Sequence, residues 1–173
     1  SASSGVGTAA VQLIKKVVGA TCIAATSTGA KARAARELGV DFAINYEAED
    51  LGARVKEITR GRGVDLVVDP TGARFFETAY ASLGRGGRYG ICGVTSGYEA
   101  NIHLGQLFSK ELHLFGVFMG TTQTLREIVR AADRGLVRSV VHRALPLKDA
   151  QLAHEEMDRS EHFGKFVLNV DVP

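Results

Sequence analysis

The sequence predicts a doubly wound α/β domain, a mostly parallel sheet with helices on both faces. Three observations carry this. Short strands that read as unbroken apolar runs alternate with helical stretches of about ten residues, the pattern of parallel strands covered on both sides. Twenty glycines against three prolines suit the tight turns that join such elements. A chain of 173 residues, 45% hydrophobic and 23% charged, is enough for one core and one domain.

The elements follow in order. After S-A-S-S-G-V-G, apolar residues at Val6, Ala10, Leu13, Ile14 and Val17 recur at helical spacing with Gln12, Lys15 and Lys16 facing outward, until Gly19 ends the helix. Thr21 to Thr26 is a strand and Ala30 to Leu38 a helix ended by Gly39. A short strand at Phe42-Ala43-Ile44, a helix near Leu51 to Arg60, a buried strand Val64 to Val68 and a helix near Phe75 to Leu83 come next. Strands at Gly87 to Gly93 and Leu112 to Phe118 follow, and then a helix over Thr124 to Arg134. The tail reads strand (Val140 to Leu145), helix (Asp149 to Met157), strand (Lys165 to Val170), a unit that folds back over another part of a larger molecule.

Composition excludes several classes. Twenty-one basic against nineteen acidic residues give a net charge of +2 with no basic stripe, so no nucleic-acid partner is expected. No apolar run reaches the roughly 18 residues of a membrane span, and no secretory pattern opens the chain. Cys22 and Cys92 lie far apart without metal spacing, which suggests a reduced, cytoplasmic setting. The five histidines, His103, His113, His142, His154 and His162, are dispersed, so no metal site is expected in this chain.

The opening turn carries the chemistry. A dinucleotide-binding Rossmann fold needs a strand, a glycine-rich turn and a helix whose free N–H groups and dipole meet the pyrophosphate. Ser4, Gly5, Val6 and Gly7 supply the turn and the helix start, with a small serine where glycine is usual. The strand that should precede them is absent, so the first and central strand is expected to be missing and the chain to be a fragment. An NAD site places an acid at the end of the second strand, about 20 residues past the glycines, to accept from the ribose 2′-hydroxyl. That place holds Thr26-Ser27-Thr28, with Lys31 and Arg33 in reach and no acid between Ala20 and Arg36, which favours NADP.

With these residues in view, the whole chain resembles the cofactor-binding half of the medium-chain dehydrogenase/reductase superfamily, in its quinone oxidoreductase and zinc-type alcohol dehydrogenase branches. The blocks S-S-G-V-G-T-A-A-V-Q-L, A-R-E-L-G-V-D-F-A-I-N-Y-E-A-E-D, G-R-G-V-D-L-V-V-D-P-T-G, L-G-R-G-G-R-Y-G-I-C-G and L-F-S-K-E-L-H-L-F-G-V-F-M-G-T carry the likeness, with H-F-G-K-F-V-L closing it. The resemblance implies that Ser4, Gly5, Val6 and Gly7 bind the pyrophosphate of NADPH while Ser27, Lys31 and Tyr46 surround the 2′-phosphate. It places Pro70, Thr71 and Gly72 beside the adenine and ribose, and Gly93 and Val94 near the nicotinamide ribose. Phe118 and Met119 would offer backbone partners to the carboxamide, and Gly164 and Lys165 would close over the cofactor. The family's GroES-like catalytic domain, which bears zinc where zinc is used, lies outside residues 1–173. No catalytic residue is therefore expected here, and the isolated chain is expected to bind NADPH weakly and reduce nothing.

A-S-S-G-V-G also resembles the turn of the short-chain dehydrogenases, but no tyrosine has a lysine four places on, so that family's general-base pair is missing. G-x-x-x-x-G-K-[ST] is nowhere present, which sets aside a P-loop. A non-catalytic domain that senses or merely holds NADPH remains the alternative to an enzyme. The full-length protein is expected to act on a small-molecule quinone, enone or carbonyl. A homodimer is expected through the apolar outer strand Leu112 to Phe118, although loss of the central strand could split the sheet.

Overall fold

The computed structural model describes residues 2–170. Its elements are α1 (Gly5–Leu13), β1 (Ile23–Thr26), α2 (Gly29–Glu37), β2 (Phe42–Asn45), α3 (Leu51–Ile58), β3 (Val64–Asp69) and α4 (Ala73–Ala81). They continue with β4 (Leu83–Ile91), α5 (Leu104–Ser109), β5 (His113–Gly116), α6 (Thr122–Asp133), β6 (Val141–Pro146), α7 (Ala150–Asp158) and β7 (Lys165–Asn169). Every pairing among them is parallel, as unbroken apolar runs joined by helices require.

The strands form three separate sheets, β1-β2, β3-β4-β5 and β6-β7. Each of the first two has its own core. Ala24, Ala32, Ala35, Ala43, Val11 and Cys22 pack the first, where alanine lets α2 sit close on its strands. Phe76, Tyr80, Leu83, Tyr89 and Leu112 pack the second, and their rings interlock: Phe76 lies 5.6 Å from Tyr80 and 5.0 Å from Tyr89 between centroids.

The structure refines several elements. α1 passes into one π-helical turn, Ile14–Val18, which Gly19 closes in the left-handed region at φ 73°. Gln12, expected to face outward, is buried; its amide donates to the carbonyls of Thr8 (3.0 Å) and Arg138 (2.9 Å) and its oxygen accepts from Arg138 N–H (3.0 Å). A polar residue takes that core position because it satisfies the chain leading into β6. Lys15 does face outward, pairing with Asp41 at 2.7 Å. The helix α5 was not expected, since Gly105 interrupts its apolar spacing; His103 caps it by accepting from Gln106 N–H at 3.2 Å. β4 begins four residues early at Leu83, and β5 stops at Gly116, leaving Val117, Phe118 and Met119 outside the strand.

Candidate functional site

The amino-terminal turn is built from capping. Ser4, in extended backbone, accepts from Gly7 N–H at 2.9 Å and so starts α1, and Thr8 Oγ1 donates back to the Gly5 carbonyl at 3.1 Å. No acid stands in the first turn of α1. Instead a cation does: Lys165 of β7 lies so close over Gly5 that any Cβ there would overlap its side chain. Gly164, at φ 100° and walled by the Val140 backbone, donates its N–H to the Ser3 carbonyl at 2.8 Å and fixes Lys165 in that place. A lysine ammonium at the positive end of a helix dipole is unfavourable by itself, and an anion bound beside both would relieve it.

A second cation stands beside the first strand. Thr28 caps α2 by accepting from Lys31 N–H at 3.2 Å. Lys31 is buried, and its Nζ donates to Ser27 Oγ at 3.2 Å and to the Ser160 carbonyl. Burial lowers its pKa, an effect that Glu161 partly opposes. Among the described residues neither Lys31 nor Lys165 has a carboxylate ion-pair partner within 4.0 Å. The tail from Ser160 to Lys165 thus touches both the end of β1 and the start of α1, bringing Ser4–Gly7, Ser27, Lys31, Gly164 and Lys165 together. His162, on the same tail, is a neighbour the sequence reading missed. Its Nδ1 is buried with no hydrogen-bond partner among the described residues, and burial, followed by Lys31, His142 and Lys165, pushes its pKa down.

The ends of β3 and β4 form a second cluster. Asp69 is buried and accepts from Thr71 N–H (2.7 Å), Thr71 Oγ1 (2.8 Å), Gly72 N–H (3.1 Å) and the Tyr89 hydroxyl (2.8 Å). That carboxylate holds Pro70-Thr71-Gly72 in shape, and burial followed by its hydrogen bond raises the Tyr89 pKa. Gly72, at φ 88°, and Gly93 have no room for a Cβ: the first would strike the Gly97 carbonyl and Val94, the second the Pro70 carbonyl. Pro70, Thr71, Gly72, Gly93 and Val94 are therefore neighbours. Tyr46, at the end of β2, lies 4.7 Å from Phe75, and the Arg74 guanidinium sits over both rings at 5.5 and 5.0 Å. Neither Asp69 nor Arg74 was singled out from the sequence, although Asp69 lies inside the quoted V-D-P-T-G block. Phe118 and Met119 stand 94% and 82% exposed beyond β5 and are not drawn into either cluster.

Glycine- and serine-lined turns at the carboxyl ends of parallel strands, with cations over a helix start, are places where open α/β folds take anionic ligands. A family model described as zinc-binding dehydrogenase matches residues 5–134, and the chain belongs to that family. It is similar to quinone oxidoreductase 1 of Escherichia coli (strain K12), 34% identical over 178 residues, 96% of this chain and 54% of that protein. An NAD-dependent alcohol dehydrogenase of Saccharolobus solfataricus is 29% identical over 168 residues, 96% of this chain and 48% of that one. A crystal structure of an NAD-dependent alcohol dehydrogenase matches with a TM-score of 0.88 at 38% identity, over 97% of this chain and 49% of that one. The chain spans about half the length of the curated relatives it matches. Among the described residues no three His, Cys, Asp or Glu converge as a metal ion requires, so these residues do not fit a zinc site. No helix among them is long and apolar enough to cross a membrane.

Replacing Tyr89 with phenylalanine removes one donor from the buried Asp69 carboxylate. Tyr89→Phe is expected to destabilise the chain by about 1–3 kcal/mol in denaturant unfolding, with the slope unchanged. A loss below about 0.3 kcal/mol would mean that water replaces the hydroxyl there.

Proposed function

We propose that this chain is the NADP-binding domain of a cytoplasmic oxidoreductase that transfers hydride to a quinone, enone or carbonyl held against a second domain. The observation that carries this is the convergence of Lys165, buried Lys31 and the start of α1, with no carboxylate ion-pair partner for either lysine among the described residues. The bound dinucleotide supplies the hydride. The residues of this chain bind and orient it. Ser4, Gly5, Val6, Gly7 and Lys165 seat the pyrophosphate, with Gly164 holding the lysine over it. Ser27, Lys31 and Tyr46 take the 2′-phosphate, the adenosine ring lies along Pro70, Thr71 and Gly72, and Gly93 and Val94 receive the nicotinamide ribose. Phe118 and Met119 offer backbone groups to the carboxamide. None of these side chains moves a proton, so the proton donor, the substrate contacts and zinc, where it is used, belong to residues outside this chain. The chain alone reduces nothing.

Two observations favour NAD as the second reading. Several relatives are named NAD-dependent alcohol dehydrogenases, and the Ser160 carbonyl already satisfies Lys31. Calorimetric titration separates the readings. NADPH is expected to bind about tenfold more tightly than NADH, and Lys31→Ala to abolish the difference. Equal affinities that the substitution leaves unchanged would assign the site to NAD.

The outer strand β5 leaves one edge unpaired among the described strands, and Phe115 within it and Val117 just past it are 43% and 48% exposed. We propose that this edge pairs with a second copy of the chain. Sedimentation at high micromolar concentration is expected to give a dimer and Phe115→Lys a monomer; a monomeric parent chain would refute the pairing.

A further inference from the structure

We infer that His162 is the proton-accepting member of the anion site: phosphate charge bound at Lys31 and Lys165 draws a proton onto its ring, so that binding strengthens as pH falls. This role rests on the cofactor reading and adds a linked proton to it.

Chain connectivity places the residue. Two positions before it the Ser160 carbonyl accepts from Lys31 Nζ, and two positions after it Gly164 N–H donates to the Ser3 carbonyl at 2.8 Å. Two residues of chain reach at most about 7 Å, so the backbone of His162 is tied between the two cationic parts of the site. Its ring is held as well. It packs on Phe166 at 5.3 Å between centroids and lies 6.3 Å from His142, whose own ring meets Phe166 edge-on at 5.2 Å. Beside these rings is a cavity of ≈ 160 Å³, lined also by Glu156, Arg159 and Glu161, with room for the water that brings a proton in.

The surroundings of the ring oppose that proton. Burial acts first, and then Lys31 from α2, His142 from β6 and Lys165 from β7, all holding the ring toward its neutral form. From α7 come Glu156, already bonded to Arg143 of β6, and Arg159 at the helix end. Glu161, next to His162 on the tail, acts on Lys31. Among the described residues neither carboxylate is at ion-pairing distance from His162, and its buried Nδ1 has no hydrogen-bond partner. Those residues therefore leave a charged ring unmet. An anion at Lys31 and Lys165 offsets two of the three opposing charges and favours the imidazolium. By linkage the protonated ring favours the anion to the same extent. A histidine raised toward its ordinary range gains its charge between about pH 5 and 8, so the coupling is read there.

Sulfate is the probe, because it stays a dianion across this range. Titrated into the ¹⁵N-labelled chain, it is expected to give saturable amide shifts at Gly5, Val6, Gly7 and Lys31, with an affinity about fivefold or more higher at about pH 5 than at about pH 8. The ring signals of His162 are expected to titrate at higher pH in saturating sulfate than without it. His162→Gln is expected to lose the gain in affinity at low pH, and His142→Gln to retain it. An affinity independent of pH, a gain that survives His162→Gln or one that His142→Gln abolishes would overturn the role of His162 and leave the anion site standing. No saturable shift at those four residues at any pH would overturn the site itself and the linked proton with it. If His162→Gln does not fold, the ring titration in the parent chain decides, and a His162 titration that sulfate leaves in place refutes the inference.

Discussion

Two backbone hydrogen bonds hold the start of α1, Ala2 N–H to the Ala25 carbonyl on one side and Gly164 N–H to the Ser3 carbonyl on the other. They bring the turn, the end of β1 and the tail together. The first sets the turn against the end of β1, where Ser27 and Lys31 stand. The second draws the tail across the turn, so that Lys165 lies over Gly5 and Ser160 meets Lys31. A side chain at Gly5 would lever Lys165 away, and one at Gly164 would collide with the Val140 backbone and undo the second bond. The glycines are needed because two segments far apart in sequence meet there at backbone distance.

Most of the strand and helix order was legible because parallel α/β structure writes itself as apolar runs between capped amphipathic helices. The parallel sense, the tail unit and the turn at Ser4–Gly7 follow from that pattern, and the family likeness was legible in its blocks. What stayed hidden depends on contacts between distant residues. Gln12 looks like a surface residue until Arg138 arrives to use both ends of its amide. Asp69 looks like the polar end of a strand until Thr71, Gly72 and Tyr89 turn toward it. Lys31 is legible as a cation beside Ser27, but its burial under the tail is not. The described strands divide into three sheets, with breaks between β1 and β3 and before β6, a division that required the structure.

Among the described residues the site carries an excess of positive charge. Lys31, Lys165 and the helix dipole of α1 are drawn together with, among the described residues, no carboxylate at ion-pairing distance from either lysine, and Glu161 acts on Lys31 only from further off. His162 responds to the same field, held toward its neutral form by burial and by the two lysines and His142. Such an arrangement costs folding free energy and is sustained where an anion completes it. The second cluster at the ends of β3 and β4 is the opposite case, its buried carboxylate met by donors from Thr71, Gly72 and Tyr89, and it is suited to shaping a ligand surface rather than to attracting charge.

The central claim is that the start of α1, with Lys165 above it, seats a diphosphate. Titrating inorganic pyrophosphate into the ¹⁵N-labelled chain tests it without any contribution from the rest of a dinucleotide. The account predicts saturable amide shifts centred on Gly5, Val6 and Gly7, abolished by Lys165→Ala. Shifts centred elsewhere, or none at these three residues, would contradict it.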